Sequence, residues 1–292
     1  MRDYVICIDA SVDLDQKFID DNHVVIIPMK YELGETEHLM ENRLSDQELL
    51  DFYNAMRAGA VTHTSQITPY FYQQVFRREA SKGHDILYLS LSGGLSSTYS
   101  SALTAAEEIE EEFDGLKIEV VDTLAATGGM GLLLMMAVRT REKGTALSDN
   151  AQTLRDMAGK VCHWFLVDDL QYLRRGGRIS AATAVAGAVL NIKPILKICD
   201  DGTLISVAKK RGLSKASQFL TDCYKGAVDK SISDDVIIAH ADNLSEAEAV
   251  RDRVLSINPE ANVQICGLGP VIGAHTGPGM LAVIHWGNRN FV

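Results

Sequence analysis

The chain has 292 residues, 46% of them hydrophobic and 23% charged, with a formal net charge of −11. Such a composition is that of a globular protein with room for two cores, and so acidic a surface repels nucleic acid and other polyanions at long range. The longest apolar tracts, 128–138 and 181–192, fall short of the ~20 residues that a membrane-spanning helix needs. No secretion-signal pattern opens the chain and the five cysteines are scattered without a C-x-x-C pair, so a cytoplasmic protein with free thiols is expected.

Apolar runs rich in β-branched residues predict strands at 4–9, 23–31, 85–92 and 117–123. Between them, Ser45 with Glu48 three residues later forms a capping box for a helix that stops at Gly59, and Thr68 followed by Pro69 reads as the cap and first residue of another. Ala102, Ala106, Ile109 and Phe113 fall on one face of a helix whose opposite face is acidic. Strand and helix alternating in this way predict a parallel sheet wrapped by helices.

The pattern changes near 163. Strands at 195–201 and 203–211 flank the turn D-D-G-T, and then follow a strand at 234–241, a helix opening at Ser245 with Glu248 three residues on, and strands at 261–269 and 280–287. The expected fold is therefore α/β in two domains, an N-terminal parallel-sheet α/β domain over 1–162 and a C-terminal α+β domain over 163–292, with a tight cleft between them.

No phosphate loop, dinucleotide fingerprint, H-E-x-x-H or G-x-S-x-G occurs. G-G-M-G at 128–131 follows a strand but lacks the dinucleotide spacing and is weak as a nucleotide site. The loop 92–97, S-G-G-L-S-S, joins a strand to a helix; it can cradle an anion on backbone N–H groups and the helix dipole, or be an ordinary turn. Thr64 and Ser65 stand just before the Thr68 cap with hydroxyls to spare. His275 and Thr276 lie in a Gly- and Pro-rich loop. Arg174, Arg175 and Arg178 are better accounted for by the dipole and capping of a short helix than by a phosphate-binding role, whereas Arg211 is harder to place in this way.

D-A-S-V-D-L at 9–14, T-S-Q-I-T at 64–68, S-G-G-L-S-S-T-Y-S-S-A at 92–102, V-D-D-L-Q-Y-L-R-R-G-G-R-I-S at 167–180, L-N-I-K-P-I-L at 190–196 and G-P-V-I-G-A-H-T-G-P-G at 269–279 occur in one order over nearly the whole chain. Together they resemble the DegV family of bacterial fatty-acid-binding proteins. The resemblance implies one long-chain fatty acid in a buried tunnel between the domains and no cofactor. It further implies, for some members, a role as the acyl-binding subunit of fatty acid kinase, presenting the carboxylate to a separate ATP-binding subunit that makes acyl phosphate. By the same resemblance the carboxylate is held by Thr64, with Ser65 beside it, and by Ser96, with Gly94 and Ser97 beside it; Arg211, His275 and Thr276 lie near the acid end.

The chain departs from the family pattern at Ala10, Ser11 and Val12, at Ile67 in place of a usual Pro, and at Gly93 and Ser97 in place of Ser and Gly. Ser97 places a second hydroxyl next to Ser96. Physical chemistry fits the resemblance: burying each methylene contributes ~0.8 kcal/mol, on the order of 10 kcal/mol for a long chain, against ~1–3 kcal/mol for each polar contact to the carboxylate. The alkyl chain then sets affinity and the polar group sets orientation. With no nucleotide or metal signature, phosphoryl transfer needs a partner. A stand-alone serine hydrolase using Ser96 and His275, or a lipid sensor with no kinase partner, are the alternatives.

Overall fold

The computed structural model describes residues 3–179 and 191–292. Strand β1 (Tyr4–Asp9) passes through a single 3-10 turn to α1 (Gln16–Asp21), β2 (Val25–Ile27), β3 (Met29–Leu33), β4 (Thr36–Met40), α2 (Asp46–Arg57) and β5 (Thr62–Ser65). Next come α3 (Pro69–Ala80), β6 (Asp85–Ser90), α4 (Thr98–Glu112), β7 (Ile118–Asp122), α5 (Gly128–Glu142) and α6 (Leu147–Ala158). The second half comprises β8 (Val161–Leu166), α7 (Gln171–Arg175), β9 (Ile192–Ile198), β10 (Leu204–Arg211) and α8 (Leu213–Ala227), followed by β11 (Asp235–His240), α9 (Leu244–Ile257), β12 (Asn262–Gly267), α10 (Pro270–Thr276) and β13 (Leu281–Trp286).

Among the described residues these strands form three sheets. A parallel sheet has the order β2-β1-β6-β7, a small antiparallel sheet the order β4-β3-β5, and a mixed sheet the order β10-β9-β8-β13-β11-β12. The α/β class expected from the strand and helix rhythm is the one observed. The single strand expected over 23–31 is two: β2 pairs with β1, and β3 pairs with β4 and β5. Pro28 stands at the break, where a residue without an N–H cannot continue a ladder.

Local chemistry explains several boundaries. Ser45 and Glu48 close the capping box of α2, Ser45 N–H donating to the Glu48 carboxylate at 2.8 Å and Glu48 N–H to Ser45 Oγ at 3.3 Å. Thr68 caps α3, with Pro69 as its first residue. The corresponding box expected at Ser245 does not form: α9 starts one residue earlier, after Asn243, without a side-chain cap.

Helix α5 is the layer shared by the two large sheets, packing on β1 and β6 on one side and on β8, β11 and β13 on the other. A helix in that position is apolar all round, which accounts for Leu132, Leu133, Leu134 and Met135, all buried. Its glycines provide close approach: a Cβ at Gly128 would lie 2.4 Å from Ile237 and one at Gly131 2.8 Å from Leu14. The G-G-M-G run is thus a packing feature with no room for a phosphate. The division expected at 162/163 runs inside β8, and α5 already packs on the sheet to which β8 belongs.

Candidate functional site

A cavity lies between the sheets. Its wall is mostly apolar, with Met29, Leu91, Phe165, Leu204, Ile272 and Ile284 contributed by all three sheets and the adjoining segments. The polar part of this wall includes Thr64 on β5, Ser96 before α4, Arg178 after α7 and His275 on α10.

The register of the small sheet sets Thr64 opposite Tyr31. Its Oγ1 lies 2.7 Å from His275 Nε2. Burial first, then the positive charge of Arg178 and the proximity of His63, push the His275 pKa down to about 4, so its imidazole is neutral at physiological pH. The other ring nitrogen, Nδ1, has no partner among the described residues and faces Gly176, where a Cβ would come within 2.1 Å of it. Gly176 is therefore required for space, since its φ of −70° is open to any residue.

Arg178 donates through Nε to the Leu95 carbonyl at 2.9 Å and through Nη1 to the Gly176 carbonyl. Among the described residues it pairs with no carboxylate, and desolvation alone lowers its pKa. A half-buried guanidinium that faces a cavity and, among the described residues, bonds only to neutral carbonyls is an uncompensated positive charge, the arrangement that attracts an anion.

The loop 92–97 proves to be a self-satisfied turn that contributes a hydroxyl. Gly93 N–H donates to Asp122, Gly94 N–H to Ser92 Oγ, and the N–H groups of Leu95 and Ser96 to the Ser92 carbonyl at 3.0 and 3.1 Å. Ser96 Oγ accepts from Thr98 N–H at 3.2 Å and shares a 2.7 Å hydrogen bond with the Thr98 hydroxyl. The N–H groups of Gly93, Gly94, Leu95 and Ser96 are thus taken by nearer acceptors, which removes them from the backbone cradle envisaged for this loop.

The structure brings Thr64, Ser65, Ser96, His275 and Thr276 to the cavity and leaves Gly94, Ser97 and Arg211 outside its wall. Gly94 is exposed and touches the tip of the β9–β10 hairpin, where a Cβ would lie 2.6 Å from Gly202. Ser97 is exposed, and its carbonyl accepts from the Ser100 hydroxyl at 2.8 Å. Arg211 is exposed at the end of β10, an edge strand whose partner is β9. None of residues 128–138 is in the cavity wall, and those of α5 are packed in the core; of 181–192, residues 181–190 lie outside the described residues.

Sequence reasoning missed Arg178, Thr127 and His163, all three in the wall. Arg178 was hidden because short-helix capping explained its neighbours; the G-G-R spacing that turns it back toward α10 was the available signal. Nothing local marks Thr127 or His163. Among the described residues, no three His, Cys, Asp or Glu side chains are grouped to hold a metal, and no helix is long and apolar enough to cross a membrane.

A family model described as "Uncharacterised protein, DegV family" matches residues 3–286. The chain belongs to the DegV family. A DegV domain-containing protein of Streptococcus pyogenes is 37% identical over 290 residues, covering 98% of this chain and 99% of that one. One from Clostridium perfringens is 34% identical over 288 residues and covers 99% of both. Among solved structures, a DegV family protein from Thermus thermophilus described for its fatty acid binding superposes with a TM-score of 0.84 at 27% identity, over 98% of this chain and 100% of that one. A DegV lipid binding protein from Thermotoga maritima superposes with a TM-score of 0.82 at 26% identity, over 99% and 100%. The cavity between the sheets is thus a feature of a DegV chain matched over nearly its full length.

Proposed function

We propose that this DegV protein holds one long-chain fatty acid, its alkyl chain in the apolar cavity and its carboxylate against Arg178, Thr64 and Ser96. The observation that carries the reading is Arg178, a cation that has no carboxylate partner among the described residues, at the wall of a mostly apolar cavity. Thr64 complements it. With His275 neutral, an Nε2–H can donate to Thr64 Oγ1 and leave the threonine O–H to donate to an acid. The similarity to the fatty-acid-binding protein of Thermus thermophilus supports the same reading.

The acid is then presented to a separate ATP-binding kinase subunit that phosphorylates it to acyl phosphate. This part rests on the motif resemblance and on the need of phosphoryl transfer for a nucleotide cradle and a metal. A serine hydrolase draws no support from the geometry. Ser96 Oγ is engaged with Thr98, His275 Nε2 with Thr64, and among the described residues no carboxylate orients His275 Nδ1.

Solvent extraction and native mass spectrometry of the purified protein test the proposal. One fatty acid per chain is expected. Thr64→Ala combined with Ser96→Ala should weaken retention of the acid about tenfold or more while leaving a matched long-chain alcohol within a few fold, since only the ionised head loses donors. Equal losses for acid and alcohol would refute the head-group assignment. Acyl phosphate formed by this chain with ATP and no second protein would refute the need for a partner.

A further inference from the structure

The loop that supplies Ser96 is held by a contact from the other half of the chain. Ser92, two residues past the end of β6, is fully buried, and each of its polar groups is engaged. Its N–H donates to the Ala125 carbonyl at 3.0 Å, and its carbonyl accepts from the N–H groups of Leu95 and Ser96 at 3.0 and 3.1 Å. Its hydroxyl accepts from Gly94 N–H at 3.2 Å and donates to the Gly202 carbonyl at 2.9 Å. Gly202 belongs to the turn between β9 and β10, 110 residues further along the chain.

That turn is itself fixed. Gly202 N–H donates to the Cys199 carbonyl at 3.0 Å, and Asp201 Oδ1 accepts from the Thr203 N–H at 3.0 Å and from its hydroxyl at 2.7 Å. Gly202 has a φ of +76°, which glycine adopts freely. The two backbones meet with no side chain between them: a Cβ at Gly94 would lie 2.6 Å from the Gly202 carbonyl carbon, and one at Gly202 would lie 2.1 Å from Ser92 Oγ. Ile198 and Leu204, on either side of the turn, line the cavity together with Leu91, Leu95 and Ser96.

A strand-to-helix turn needs only its local hydrogen bonds. Here the hydroxyl that gathers the loop is completed by a carbonyl of a distant hairpin, so the hairpin sets where the loop lies. A buried hydroxyl satisfied as donor and acceptor holds its neighbours in one arrangement. Ser96 is tied by its own N–H to the Ser92 carbonyl, so a displacement of Ser92 carries the Ser96 hydroxyl with it. We propose that Ser92 is a positioning residue for the acid head: clamped between Gly94 and Gly202, it holds the Ser96 hydroxyl where a carboxylate meets it, and makes head-group selectivity depend on the β9–β10 hairpin. Gly94 is then the point at which the hairpin rests, and touches no ligand. This inference rests on the fatty acid reading above and deepens it.

The experiment is a double-mutant cycle read as the preference for palmitic acid over hexadecanol, measured by competition for delipidated protein. Ser92→Ala should lower that preference about fivefold or more, and to within about twofold of the loss caused by Ser96→Ala. Ser92→Ala combined with Ser96→Ala should lose no more than Ser96→Ala alone, because a residue that acts through another adds nothing once the other is gone. Gly202→Ala, which leaves the loop's own sequence intact, should give the same pattern, and it carries the test if Ser92→Ala does not fold.

A full preference for the acid in folded Ser92→Ala or Gly202→Ala protein would overturn the inference and leave the proposed function standing. Losses that multiply in the combined variant would overturn it equally, since they would show that Ser92 acts independently of Ser96. If the parent protein bound no fatty acid, or held the alcohol as well as the acid, the proposed function itself would fall, and the positioning role with it.

Discussion

Arg178 and His275 face the same cavity and respond to burial in opposite ways. The guanidinium keeps its charge at any accessible pH and so demands an anion, whereas the imidazole gives up its proton. His275 is one of three buried histidines held neutral mainly by desolvation, with His163 pushed down to about 3 and His285 to about 4. In the unfolded chain each titrates near its ordinary value of about 6.5. Below that value the unfolded state binds more protons than the folded one, so stability falls as pH drops from about 6.5 toward 4. Asp13 acts in the opposite sense: burial raises its pKa to about 7, so over the same window the folded state holds the proton and acid favours folding. His240, lowered by desolvation, adds to the histidines, and Asp9, raised by burial, sides with Asp13; the histidines outnumber the acids and predict a net loss of melting temperature on acidification through this window, and Asp13→Asn should steepen it. A melting temperature flat from pH 7 to 4.5 by calorimetry would show that these burial effects are absent.

At the scale of the element, α5 decides whether the two large sheets can share one layer. Gly129 is the tightest point, where a Cβ would come within 2.0 Å of His163 Nε2. Gly129→Ala should destabilise by about 1–3 kcal/mol, since an added methyl at a close-packed contact forces displacement on both sides. Gly159, at the end of α6, has φ −67° and no neighbour within 4 Å of an added Cβ. Gly159→Ala should be neutral or stabilise by up to about 1 kcal/mol, through the entropy of the unfolded chain. Urea denaturation of the pair measures both. Equal destabilisation would mean that glycine in this region is needed for conformation and not for contact.

At the scale of the whole molecule, the two large sheets are held together by a group at the far end of the chain. Arg289, 2% exposed, donates to the carbonyls of Val161 at 3.0 Å, Cys199 at 2.9 Å, Leu124 at 3.1 Å and Ala158 at 2.7 Å. Those acceptors belong to both halves of the chain: the loop after β7, the end of α6, the start of β8 and the turn after β9. Arg289→Ala leaves four carbonyls short of a donor and should cost about 3–5 kcal/mol, read as a lowered denaturation midpoint. A loss under about 1 kcal/mol would mean that solvent replaces the guanidinium there. We propose that the chain divides into two domains close to β8, with α5 and Arg289 binding the halves into one body.

The sequence by itself determined the α/β class and the elements that carry local signals. Capping residues at Ser45 and Thr68, the Ala102-to-Ile109 face of α4 and the β-branched runs are local signals, and short-range hydrogen bonding and apolar periodicity suffice to read them. It also marked Thr64, Ser96 and His275 through their motifs. Only the tertiary structure decided that Arg178 joins them while Gly94, Ser97 and Arg211 do not, and that Thr127 and His163 line the same cavity. The reason is physical: an arginine capping a surface helix and one facing a cavity have the same local sequence chemistry. What separates them is burial and the absence of a carboxylate nearby, and both depend on which distant segments the packed sheets bring alongside.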